Sequence, residues 1–173
     1  MTSYPIIFTL RDPVIGRRFL AGVEVHGRAL MKVEEHGFWI DGVNPGAVCA
    51  GGEGRDEALL KFRDSYRAVL YSFAAAASSF EEFRAEVERF FWEETPGEAE
   101  AWTEAAKELR ADPSKAGDWL PVRSEYAAPR VTIAWLAGEL PQAANDNYQP
   151  EKAGQRLEPE ENPAEEMELA TAA

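Results

Sequence analysis

Reactive side chains are scarce in this chain, with one cysteine, Cys49, and two histidines, His26 and His36, among 173 residues. A lone thiol excludes an internal disulfide framework and gives no argument for an oxidising compartment. No further ligands stand at zinc-like spacing around the histidines, so neither a metal nor a cofactor is expected. His36-Gly37 reads as a turn between strands. Cys49 follows Ala47-Val48, and that apolar context predicts a buried structural thiol. No apolar run approaches the roughly 20 residues that span a bilayer, and Met1-Thr2-Ser3-Tyr4-Pro5 lacks the basic and apolar regions of a signal peptide. The expectation is a cytoplasmic protein without membrane contact.

Recognisable catalytic motifs are missing as well. There is no Gly-x-Ser-x-Gly, no His-Glu-x-x-His and no phosphate loop. Gly46, Gly51, Gly52 and Gly54 lead into a helix, but Glu53, Asp56 and Glu57 beside them would repel phosphate. Positive charge is short too, with 18 Lys and Arg against 31 Asp and Glu and a net charge of −13. From Ala137 onward nine acids face two bases, a balance of −7 that leaves −6 for the rest. Direct nucleic-acid binding through a basic surface is therefore not expected. A basic protein partner is favoured on encounter, with solubility alone as the competing explanation of the acid content.

What the chain does have is hydrophobic residues at 45%, five Trp and nine Phe, enough for a real core. Tyr4 to Leu10 reads as a first strand, broken by Arg11-Asp12-Pro13. Phe19, Ala21, Val23 and Val25 alternate as a second strand, Gly27 interrupts, and Ala29, Met31 and Val33 alternate as a third. Phe38-Trp39-Ile40 makes a short fourth strand. Short links favour antiparallel pairing among them. Asn44-Pro45-Gly46 opens a glycine-rich turn. A long helix follows, with Leu59, Phe62, Tyr66, Val69, Leu70 and Phe73 on one face and Asp56 and Glu57 in its first turn. Ser79 and Glu82 form a capping box for a second helix to about Glu93. Thr95, Pro96 and Glu98 form another for a third helix to about Arg110. Ser114 to Pro129 reads as a crossing loop anchored by Trp119 and Leu120, and Arg130 to Leu136 as the last strand. From about Gly138 apolar periodicity ends, and composition predicts a disordered acidic tail.

Candidate functional residues gather near the central turn. Asp41, Glu53, Asp56 and Glu57 are candidate charged contacts. Trp39 is a candidate apolar anchor, because aromatic residues dominate interface hot spots. The second helix carries more aromatic residues than its core face needs, so Trp92 is a further candidate contact.

The central stretch resembles the HicB-like antitoxin family. Pro45-Gly46 matches the family's turn, Gly52-Glu53-Gly54 its link, Asp56-Glu57-Ala58 its helix start, and Leu120-Pro121 with Val131 to Leu136 its crossing loop and final strand. The likeness covers roughly Phe19 to Ala74 plus that strand. Departures are Val43, where the family has an acid, Gly54 in place of a capping Thr, a link one residue longer, and two added helices. No DNA-binding segment follows the last strand, so operator binding is not carried over. The resemblance implies a partial RNase H-like fold without a catalytic carboxylate set, which masks a small basic ribonuclease toxin.

The expectation is thus an α/β (α+β) protein with an antiparallel sheet and helices on one face. Residues 1–137 form a HicB-like domain with a helical insertion at about 78–112, and 138–173 form the tail. Its expected role is a non-enzymatic, antitoxin-like protein that binds and neutralises or regulates a basic partner. The alternatives are a stand-alone interaction adaptor, or a divergent RNase H-like nuclease relying on Asp41. A homodimer through an exposed Tyr4 to Leu10 edge is also open.

Overall fold

A computed structural model describes residues 2–116, 122–123, 128–138 and 170–172. Two long strands form its spine. β1 (Thr2–Ile15) and β2 (Phe19–Glu34) pair antiparallel over their whole length, from Thr2 opposite Val33 to Ile15 opposite Leu20. The other edge of β2 is shared. Its second half pairs with β3 (Gly37–Asn44) and its first half with β6 (Arg130–Gly138), the changeover falling near Arg28. β4 (Cys49–Gly52) extends the sheet beyond β3. On the far side β1 pairs with β7 (Ala170–Ala172), which pairs parallel with β5 (Val122–Arg123).

Strand alternation sorts side chains between two cores. One face carries Ile6, Phe8, Leu10 and Val14 of β1 with Phe19, Val23, Val25 and Met31 of β2. Against it pack α1 (Arg55–Ala76), through Leu59, Phe62, Tyr66 and Leu70, and α2 (Phe80–Phe91), through Phe80, Phe83, Val87, Phe90 and Phe91. The aromatic rings interlock edge-on, with Phe8 5.3 Å from Phe62 and Tyr66 5.9 Å from Phe90. Such pairs add to simple area burial. The opposite face holds a smaller core of Leu30, Val43, Trp102 and Ala106, covered by α3 (Glu98–Ala111). Helices therefore lie on both faces, not on one as expected. The reason is that Leu30 and Val43 point away from α1, and Trp102 covers them while donating its indole N–H to the Ile6 carbonyl at 3.2 Å.

Other expectations need correction. Arg11-Asp12-Pro13 does not break β1, because Asp12 turns inward and binds Arg67 of α1 through Nε at 2.7 Å and Nη2 at 2.5 Å. Gly27 does not interrupt β2, since Phe8 lies directly opposite it. The glycine-rich link holds an extra strand, β4, whose Cys49 is exposed rather than buried. Ser79 caps α2 as expected, accepting from the Glu82 N–H at 3.2 Å, while Glu82 turns back to the Ser78 N–H at 2.8 Å. Thr95 does not cap α3. Its hydroxyl donates to the Gly46 carbonyl at 2.8 Å, and the cap is Gly97 at φ +88°, a left-handed backbone that glycine adopts without strain. The strand Tyr4 to Leu10 pairs with β2 along one side, and on its other side β7 pairs with it at Ile6 and Ile7, so the expected edge is covered in part. Trp119, Leu120 and most of 138–173 lie outside the described residues. Within that stretch Gly138 ends β6 and Ala170–Ala172 form β7, so part of the expected tail belongs to the sheet.

Candidate functional site

The six candidate residues fall in three places. Glu53, Asp56 and Glu57 stand where β4 hands over to α1. The Gly54 cap supplies no side-chain acceptor, and Glu57 instead accepts from the Glu53 backbone N–H at 2.9 Å. Lys61 pairs with Glu57 at 2.7 Å, and Arg55 with Asp56 at 2.6 Å. The Lys61 bond first, then the Glu53 N–H, hold the Glu57 carboxyl below its ordinary range. These acids meet others that sequence reasoning missed. The β2–β3 turn brings exposed Glu34 and Glu35 to the same end, where Gly37 lies against Gly52 and the Cα of Glu53. At this end opens a cavity of about 460 Å³, lined by Tyr4, Val33 and Phe38 and by Gly54, Arg55, Asp56 and Glu57 at the start of α1. Only strand register could have disclosed this meeting, because Glu34 and Glu53 are distant in sequence.

Trp39 flanks the same edge from the other face, 47% exposed, with its ring lying over Gly51 across the β3–β4 pair. Acids on one side of β4 and an open aromatic on the other make an edge that a basic segment can clasp. Asp41 is separate. It shares Lys32 with Glu98, at 2.8 and 3.0 Å, beneath α3. Burial works against the Lys32 charge, but the bonds to Asp41 and Glu98 outweigh it and raise its pKa. A carboxylate neutralised in this way is tied into structure, so Asp41 lends no support to the nuclease alternative. Among the described residues no group of three or more His, Cys, Asp or Glu is placed to hold a metal. Trp92, 56% exposed, ends α2 near the cis Asn44–Pro45 turn, where Gly46 donates to the Glu93 carbonyl at 2.7 Å. Phe80, Phe83, Phe90 and Phe91 are all core, so Trp92 is the open aromatic of that helix region.

A second polar group occupies the middle of the outer sheet face. His26 Nε2 lies 2.7 Å from Glu24 and Nδ1 lies 3.2 Å from the Thr9 hydroxyl. With Nε2–H donating to Glu24, Nδ1 accepts from Thr9. Arg130 Nη2 is 2.9 Å from the same Nε2, which cannot accept while it donates, so its attraction is to Glu24 at 3.6 Å. Arg11 closes the group on Glu24 at 3.1 Å. Glu24 and His26 share a face by simple alternation, a signal visible in sequence. Thr9, Arg11 and Arg130 join them only through register.

No protein-family model matches the chain, and no curated protein or solved structure matches it.

Proposed function

We propose that this protein is a non-enzymatic binder that captures a small basic protein at the acidic end of its sheet, as a HicB-like antitoxin masks a ribonuclease toxin. The observation that carries the reading is a cavity floored by Tyr4, Val33 and Phe38 and rimmed by Arg55, Asp56 and Glu57, at the end of the sheet where exposed Glu34 and Glu35 and the neighbouring Glu53 add further negative charge. A Lys or Arg side chain suits such a place, with its apolar stem on the floor and its charge among carboxylates. Acidic surfaces also speed encounter with a positive partner. The reading also draws on the order of elements, with strands before a Pro45-Gly46 turn, then a long helix and a late strand, which is the order that the HicB-like resemblance implies. β4, α2 and α3 are additions to that pattern.

The test is a pull-down of the tagged protein from its native lysate at low and high salt, read by mass spectrometry. Recovery of one small basic protein that salt displaces supports the proposal. With that partner in hand, Glu53→Lys/Asp56→Lys abolishes capture, and Trp39→Ala weakens it about tenfold or more. Recovery of nothing but the protein itself sinks the reading.

A further inference from the structure

At the other end of β2, on the edge that it shares with β3, β6 bonds to β2 along one side, and its other side has no strand partner among the described residues. Natural edge strands are guarded by charge, proline, shortness or a bulge. The run Val131-Thr132-Ile133-Ala134-Trp135 holds neither charge nor proline. A bulge does occur at Leu136, where the register steps from Ala21 opposite Trp135 to Leu20 opposite Ala137. It limits the regular edge to Val131–Trp135 without covering it. Large apolar groups stand open on both faces there. Trp135 leans edge-on against Phe80 at 5.1 Å yet stays 50% exposed. Leu136, 54% exposed, lies beside Gly22 in a groove of about 380 Å³ that Pro13, Thr132 and Ala134 also line.

We infer that β6 is the dimerisation edge of this protein, pairing antiparallel with β6 of a second copy about a twofold axis at Ile133. The edge is complementary to itself. In that register Val131 of each copy faces Trp135 of the other, an aromatic–β-branched pair of the kind that stabilises sheets. Thr132 faces Ala134, and Ile133 faces its own copy. The one charge on the strand, Arg130, lies outside the paired residues and is attracted to Glu24 of its own chain at 3.6 Å. For a chain of net charge −13 this matters, because two copies repel wherever their acidic surfaces meet. The neutral β6 seam lets them approach, and an isologous contact closes at two copies. This surface is distinct from the acidic end, so either assignment stands without the other.

Sedimentation velocity of the full chain over a wide concentration range tests the inference. The wild type sediments as a dimer that dissociates on dilution. Thr132 and Ala134 are exposed, so charging them leaves the monomer core intact. Thr132→Lys/Ala134→Lys and Thr132→Glu/Ala134→Glu each sediment as monomers with unchanged circular dichroism, because like charges face across the axis. Mixed in equal amounts, the two variants restore the dimer. A wild type that stays monomeric at every concentration overturns the inference, as does a dimer that either double variant leaves intact, or a mixture that remains monomeric.

Discussion

Asn44, completely buried at the end of β3, donates from Nδ2 to the Glu94 carboxylate at 3.0 Å. Its Oδ1 accepts from Arg28 Nε at 2.7 Å, and Arg28 Nη2 reaches the same Glu94 at 3.2 Å. Three residues from three parts of the chain are thereby satisfied together, and the central turn is fastened to the link between α2 and α3. Asn44→Ala removes the middle member and leaves a partly buried edge of the guanidinium without its acceptor. Hydrogen bonds to charged groups are strong, and the expected loss of stability is about 2 kcal/mol, read as a lower urea midpoint at unchanged slope. A loss of a few tenths of a kcal/mol would mean that the three residues do not act as a unit.

Gly27 argues a second case. A Cβ built on it would fall 2.4 Å from the Phe8 ring and 2.5 Å from the Asn44 carbonyl oxygen, and the latter is backbone that cannot step aside. Gly27→Ala must therefore push β2 away from β3 and also displace Phe8 from its contacts with Phe62 and Tyr66. Overpacking of this kind costs about 1–3 kcal/mol. Phe8→Leu, which loses ring contacts but clears the space, should make the added alanine methyl less costly. If the two substitutions are simply additive in thermal melts, the Phe8 ring is not the source of the cost, which then falls on the Asn44 carbonyl.

The same glycine marks how far the sequence could be read. Period-two alternation on both sides of Gly27 was plain, and so were the face of α1 and the Ser79 cap. A glycine within such a pattern also reads as a break, and only the cross-strand Phe8 explains why the strand continues. Asp12-Pro13 is the same kind of case. Taken alone it is a turn signal, yet Arg67, far along the chain, makes a strand position of it. Of the candidate site, the acids at the start of α1 were legible because they cluster in sequence. Glu34 and Glu35 were not, because register rather than spacing brings them there. Asp41 looked available and is occupied, since its partner Lys32 lies on the neighbouring strand.

Two of these polar groups give the protein opposite responses to pH. The bond from His26, opposed in part by desolvation and helped by Arg11, holds the Glu24 carboxyl below its ordinary 4.5. A folded-state pKa below the unfolded one means that Glu24 contributes stability above pH 4.5, and that the contribution is lost as pH falls toward the folded value. Lys32 runs the other way. Its pKa is raised above 10.5, so its contribution is present below that pH and fades as the medium becomes more alkaline. Thermal melts across the pH range should show Glu24→Gln with a shallower acid limb and an unchanged alkaline one. Lys32→Met should flatten the alkaline limb. At neutral pH it should also cost about 2 kcal/mol, because Asp41 and Glu98 are left facing each other in a half-buried site. An acid limb that is identical in wild type and Glu24→Gln would remove the Glu24–His26 bond from any account of stability, and a Lys32→Met deficit that does not vary with pH would assign the loss to packing instead of charge.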